Sequence, residues 1–173
     1  MSVLLHWLYR LATGAPYLRP PGAVPESEFL RRCIKCNKCI QICPYHSIVP
    51  ADRSYGIKSG FPVIHPHEIP CYVCMKCPPV CPTGALDTAL KDKHDVAMGL
   101  AQIDHDLCLA YNGVICRACF ERCPLYREAI VLEDEMFPVV QGDKCIGCGV
   151  CENVCPAERT AIRVKSAHTG GAR

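Results

Sequence analysis

Cys33-Ile34-Lys35-Cys36-Asn37-Lys38-Cys39-Ile40-Gln41-Ile42-Cys43-Pro44 decides how this chain is read. Three thiols recur every third residue, a fourth follows four residues on, and proline closes the run. That is the C-x2-C-x2-C-x3-C-P pattern of bacterial iron–sulfur proteins. It occurs three more times, as Cys71, Cys74, Cys77, Cys81, Pro82; as Cys108, Cys116, Cys119, Cys123, Pro124; and as Cys145, Cys148, Cys151, Cys155, Pro156. The third copy has seven residues in its first interval. All sixteen cysteines are used, so the sequence predicts four [4Fe–4S] clusters with these sixteen thiols as ligands.

The spacing has a physical reason. A short loop can turn three thiols toward one cube, while the fourth, beyond a helical turn, faces another cluster. Two runs then cross-staple each other, and metal binding becomes folding free energy. Two pairings are open. The first run joins the second and the third the fourth, or else the outer two join and the inner two join. The tight Ala129–Val140 stretch leans slightly toward the sequential pairing. A disulfide scaffold suits small secreted domains, but not thiols clustered four times before Cys-Pro. Structural zinc favours two separated cysteine pairs, not three thiols in seven residues.

The bulk composition agrees. Pro (15) and Gly (12) are plentiful and only 7% of the chain is aromatic, which fits neither a large sheet sandwich nor a helical bundle. Metal takes the place of buried apolar area in small folds. Sixteen thiolates and four oxidised cores of about +2 each would take the formal charge from +2 to about −6. No basic stripe with interleaved aromatics points to nucleic acid. The seven histidines are scattered, with His65 and His67 flanking Pro66, and read as non-ligands.

Along the chain, residues 1–13 are apolar, with Val3, Leu4, Trp7, Leu8 and Leu11 at helical spacing. They are too few to span a bilayer, and read as a short helix against the body or a partner, with an interfacial membrane anchor as the alternative. Residues 14–25 read as an extended Pro-rich linker, making 1–25 a segment outside the main domain. Glu26–Arg32 reads as a helical turn, and Arg31, Arg32, Lys35 and Lys38 form a basic patch beside the first run.

Short apolar stretches follow each Cys-Pro, at residues 47–49, 85–86, 129–132 and 161–164, and others precede two runs, at 61–64 and 137–140. The repeat is therefore strand, cluster loop, helical turn, strand, the mark of duplicated modules. Ala129–Val140 is a hairpin with Asp134-Glu135 near its turn. Residues 51–60 read as an exposed loop. Residues 87–99 read as containing a short helix, because Ala89, Leu90, Val96, Ala97 and Met98 carry little β-branching. Ile34, Ile40, Ile42, Val73, Val80, Ile115, Phe120, Ile146, Val150 and Val154 are expected to pack over the clusters and limit water. The fold class expected is α+β: tandem ferredoxin-like 2[4Fe–4S] modules over 26–165, with short strands, helical turns and much irregular loop. Residues 166–173 read as a disordered tail.

Further stretches carry a resemblance: Arg19-Pro-Pro-Gly-Ala23, Cys43-Pro-Tyr45, Glu68-Ile-Pro-Cys71, Cys81-Pro-Thr-Gly-Ala-Leu-Asp87, Met98-Gly-Leu-Ala101, Asp106-Leu-Cys108 with its long interval, Ala129-Ile-Val-Leu-Glu133 and Cys145-x-Gly-Cys148-Gly. Over about residues 19–165 the chain resembles the NapG/MauM family of ferredoxin-type proteins. The resemblance implies an electron-transfer polyferredoxin. Its partners would be a membrane-bound iron–sulfur, quinol-oxidising protein and a redox enzyme subunit, with membrane contact through the partner. The alternatives are an electron-transfer subunit of a molybdenum-type or hydrogenase-type oxidoreductase, and an assembly factor. The resemblance departs at two points: there is no twin-arginine signal, and the second run has x2 where relatives often have x4. The expected location is cytoplasmic or membrane-associated as written, or periplasmic if the chain is exported with a partner or its start is misassigned. No Rossmann glycine pattern, P-loop or haem motif is present, so the chain reads as a carrier without catalysis of its own.

Overall fold

A computed structural model describes residues 17–168. The order is helix α1 (Glu26–Arg32), α2 (Lys38–Ile42), strands β1 (Val49–Pro50), β2 (Pro62–Val63) and β3 (Gly99–Ile103), helix α3 (Ala118–Glu121), strands β4 (Ile130–Glu133) and β5 (Phe137–Val140), helix α4 (Val150–Asn153) and strand β6 (Ile162–Ser166), with 3₁₀ turns between. Three two-stranded antiparallel sheets result, β1–β2, β3–β6 and β4–β5. This is the mixed helix and strand architecture with much loop that the cysteine spacing implies. No described helix is long and apolar enough to cross a membrane.

α1 starts at Pro25 and ends at Cys33, where the backbone turns extended. Glu26 and Glu28 lie in its first turn and Arg31 and Arg32 in its last, matching the helix dipole. The hairpin at 129–140 forms as expected. Asp134 and Glu135 both have positive φ, the geometry of a type I′ turn, whose twist suits paired strands. β6 alternates buried Ile162, Val164 and Ser166 with exposed Arg163 and Lys165, the period of a half-buried strand.

Three expectations need correction. First, residues 17–25 are not a linker outside the domain. Leu18 and Ile64 exchange backbone hydrogen bonds of 2.9 Å, Val24 N–H donates to Ala85 O, and Asp87 N–H donates to Gly22 O. Arg19 is 0% exposed. Its guanidinium lies 4.7 Å from the Tyr17 ring centre and 4.6 Å from that of Phe29. Its Nε and Nη2 donate to Glu26 and its Nη1 to Pro62 O. A buried cation is tolerated only when paired and hydrogen-bonded, and here every face is occupied. Residues 1–16, with the expected apolar helix, lie outside the described residues.

Second, the 87–99 helix is one 3₁₀ turn, Lys93–Asp95, capped by the Asp92 carboxylate. Val96 and Met98 are buried on the way into β3, a strand that its Gly-Leu-Ala composition hides. Third, Ser166 ends β6 and Ala167 N–H donates to Met98 O, so these residues belong to the packed body rather than to the tail expected from 166. Residues 51–60 carry a 3₁₀ turn, Arg53–Lys58, on an otherwise loop-like connection.

Burial alone would raise the Glu26 pKa, but hydrogen bonds and charge from Arg19, with Tyr17 and Lys58, hold it below the usual carboxylate range. Its contribution to stability is therefore present above the ordinary carboxylate pKa and is lost as pH falls through the lowered value. Glu26→Gln should cost about 2–4 kcal/mol at pH 7, since it leaves a buried guanidinium under-compensated. The check is the urea midpoint by circular dichroism. The deficit relative to wild type should shrink on acidification, and an equal midpoint at pH 7 would contradict this account.

Candidate metal centres

The sixteen thiols, all free, gather in four cavities. Cys33, Cys36, Cys39 and Cys81 line the first, and Cys43, Cys71, Cys74 and Cys77 the second. Cys123, Cys145, Cys148 and Cys151 line the third, and Cys108, Cys116, Cys119 and Cys155 the fourth. We call these the Cys33, Cys71, Cys145 and Cys108 sets. Each takes three thiols from one run and the last thiol of its neighbour. Of the two pairings open from the sequence, the geometry is the sequential one. Each set lines its cavity rather than converging on a point. Among the described residues no three His, Cys, Asp or Glu groups are close enough to hold one ion. Thiols spread around a cavity suit the corners of a polynuclear core.

The loops explain how three thiols face inward. In the first run Lys35 and Asn37 have positive φ, in the second Val73 and Met75, and in the fourth Gly147 and Gly149. These are equivalent positions, before and after the second thiol. Alternating left-handed residues turn successive N–H groups to one side, the nest that favours anionic sulfur. Val73 N–H donates to Cys71 Sγ at 3.4 Å. A β-branched residue at φ 49° is strained, a cost the surrounding fold must offset. The third run differs. Its long interval holds a 3₁₀ turn, Ala110–Asn112, ended by Gly113 at φ 81°. The Asn112 amide clamps it by donating to His105 O, Asp106 O and Cys108 O.

Backbone donors also reach thiols from outside the runs. Leu86 N–H donates to Cys81 Sγ at 3.4 Å, Ala161 N–H to Cys155 Sγ at 3.4 Å, and Ala101 N–H to Cys145 Sγ at 3.5 Å. Sequence reading missed these, because backbone donors leave no signature in residue type: Leu86 and Ala161 lie five and six residues after their thiols, but Ala101 is 44 residues from Cys145. Such bonds to sulfur help set potential.

Burial, followed by repulsion from Cys33 and Cys36, pushes the Cys39 thiol up to about 12. Burial does the same at Cys71, Cys119 and Cys148, each reaching about 12, and raises Cys77 and Cys151 further. Cys81 moves the other way. Burial raises it, but N–H groups of Leu86, Thr83 and Ala85 and the Thr83 hydroxyl outweigh that and lower it. Thiols crowded like this ionise together only against positive charge placed among them, which is what a metal–sulfide core supplies. The donor sets therefore fit [4Fe–4S] groups.

The sets form a row. Cys39 and Cys43 lie at opposite ends of one short turn, linking the Cys33 and Cys71 sets, and Cys119 and Cys123 link the Cys108 and Cys145 sets in the same way. At the middle, Cys71 N–H donates to Cys148 O at 3.0 Å. Asn153 Nδ2 donates to His67 O and Glu68 O. A Cβ on Gly149 would lie 2.2 Å from Pro66 Cβ. The apolar residues expected over the cavities divide. Ile146, Val150 and Val73 are buried, whereas Ile34 is 65% exposed, Ile115 is 79% exposed and Ile42 also faces outward. Ile146 holds the position in its loop that Ile34 holds in the first, but its loop is covered by the segment entering β3, where Met98 N–H donates to Ile146 O.

Comparison with known proteins gives consistent results. The family described as "4Fe-4S dicluster domain" matches residues 32–85, and "4Fe-4S binding domain" matches residues 137–160. The chain is 42% identical over 157 residues to the methylamine utilization ferredoxin-type protein MauM of Paracoccus denitrificans, covering 85% of this chain and 70% of that one. It is 41% identical over 160 residues to the ferredoxin-type protein NapG of Escherichia coli, covering 85% and 69%. It is 30% identical over 156 residues to the ferredoxin-type protein NapF of the same organism, covering 87% of each.

A Cβ on Gly147 would stand 2.2 Å from Gly99 N, where the fourth loop meets β3 backbone to backbone. Gly147→Ala should therefore lower iron and sulfide per protein after anaerobic reconstitution by about a quarter. Val73→Gly, which relieves the left-handed strain at the equivalent position, should retain the full amount. Full retention by Gly147→Ala would show that the approach is not needed for loading.

Proposed function

Because the chain belongs to the NapG/MauM family of ferredoxin-type electron-transfer proteins carrying 4Fe-4S domains, we propose that it is a four-cluster relay passing electrons from a membrane-bound quinol-oxidising iron–sulfur protein to a terminal oxidoreductase. The observation that carries this reading is the row of four crossed thiol sets, two in each of two modules. We assign the sixteen cysteines as ligands, one [4Fe–4S] cluster to each set. Bound there, the clusters supply one-electron storage, with no bond made or broken on a substrate.

The chain's own residues do the rest. Val73, Leu86, Ala101 and Ala161 hold N–H dipoles against sulfur. Phe29, Ile64, Met98, Ile130 and Ile146 pack among the thiols in one core and exclude water. The seam at Cys71–Cys148 keeps the two modules in register. Membership of the family supports a membrane partner, since the resemblance implies one. The chain has no catalytic role of its own in this reading.

Crossed ligation makes a specific prediction. Cys33→Ala and Cys81→Ala, in different runs, should produce the same defect, as should Cys116→Ala and Cys155→Ala. Each should lose about four irons per protein, read as iron and sulfide content with the electron paramagnetic resonance of the reduced state. Matching spectra for Cys33→Ala and Cys39→Ala but a different one for Cys81→Ala would overturn the assignment. The partner reading is tested by anaerobic pull-down from detergent-solubilised membranes with mass spectrometry. Stoichiometric recovery of a polytopic iron–sulfur protein is the expected result. Recovery of a soluble catalytic subunit alone would overturn it.

A further inference from the structure

The row of thiol sets has two ends, and they differ in charge and in cover. Residues 26–42, around the Cys33 set, carry Arg31, Arg32, Lys35 and Lys38 against Glu26 and Glu28. Residues 104–135, around the Cys108 set, carry seven carboxylates against three arginines. Glu26 is spent on buried Arg19 and Glu28 on Arg32. Lys35 is turned back, with its ammonium donating to Ser59 O and lying 4.3 Å from the Phe61 ring centre. Among the described residues Arg31 and Lys38 are exposed with no ion pair or hydrogen bond, so their charge is available to a partner.

The same end holds the least protected thiol. Of all sixteen cysteines, Cys36 alone is exposed. Ile34 stands beside it, exposed, between Arg31 and Lys38 in sequence. An exposed apolar residue, flanked in sequence by two exposed and unpaired cations and next to an exposed redox ligand, offers what a docking face uses: short-range packing and long-range charge. Electron transfer favours the site with the thinnest cover, and charge steers which partner finds it.

We propose that the Cys36 corner is the relay's docking port for a redox protein with an acidic face, held by Arg31 and Lys38 around Ile34. The inference rests on the electron-carrier reading and adds the location and charge of one port. The opposite, acidic end repels the same partner, which gives the relay a direction of approach.

The test compares two oxidants of equal charge magnitude, anionic tris(oxalato)cobaltate(III) and cationic hexaamminecobalt(III), acting on the reduced, fully loaded protein at low salt. One electron leaves the protein and reduces Co(III) to Co(II), and no proton moves. Arg31→Glu/Lys38→Glu should slow the anionic oxidant about tenfold and leave the cationic one within about twofold. Arg122→Glu/Arg127→Glu, an equal charge change in the other module on either side of Cys123, should leave the anionic rate within about twofold. A second readout needs no turnover. Redox-inert hexacyanochromate(III) should broaden the α1 amide resonances in wild type and not in Arg31→Glu/Lys38→Glu.

Equal slowing by both double variants would show that only net charge matters and would overturn the port, as would an unchanged anionic rate with unchanged broadening. Failure of both oxidants to take electrons from the wild type would instead overturn the electron-carrier reading, while the broadening experiment still tests the port.

Discussion

Three thiols spaced three residues apart can face one point, but a fourth set beyond a helical turn faces another. No run in this chain can complete its own four, so each depends on its neighbour. Cys81 closes the set begun at Cys33, and Cys43 closes the one begun at Cys71. The helical turns between third and fourth thiols, the left-handed loop residues and the short strands are what that exchange requires of the backbone. The apolar core is built around the cysteines, and Cys43, Cys71, Cys77, Cys119, Cys148 and Cys151 are themselves among its buried members.

Charge sets the second requirement. Burial and mutual repulsion push thiols such as Cys39 and Cys148 up to about 12, so packing and ionisation oppose each other unless positive charge sits within each set. Arg19 is the same problem with the sign reversed, solved within the protein by Glu26, three aromatic rings and a carbonyl. It ties the residues before α1 to β2 and so fixes the wall behind the Cys33 set.

The cysteine runs were legible because thiol spacing is chemistry written locally, and the 129–140 hairpin because its apolar strands flank a polar turn. Arg19 was not legible. Its neighbours Pro20, Pro21 and Gly22 read as a linker, and nothing local announces that Phe61, forty residues on, will stack on the same cation. β3 was hidden because Gly99 is there for closeness rather than propensity: a Cβ would meet Lys165 O at 2.3 Å. The pairing of runs was open because either arrangement satisfies the same sixteen ligands, and only the tertiary gathering of Cys81 with the Cys33 set and of Cys155 with the Cys108 set distinguishes them. Ile34 and Ile115 misled because hydrophobicity was taken for burial: Ile146, at the position equivalent to Ile34, is buried only because another segment covers its loop.

At the seam, Gly149 lies against Pro66 with no room for a methyl group. Each module closes mainly on itself, so its residues can drift by mutation under pressures local to that half. At the seam the two halves are not independent. A side chain gained at 149 has to be matched by one lost at 66. Compensating pairs across that line would mark where the two halves of the chain constrain each other.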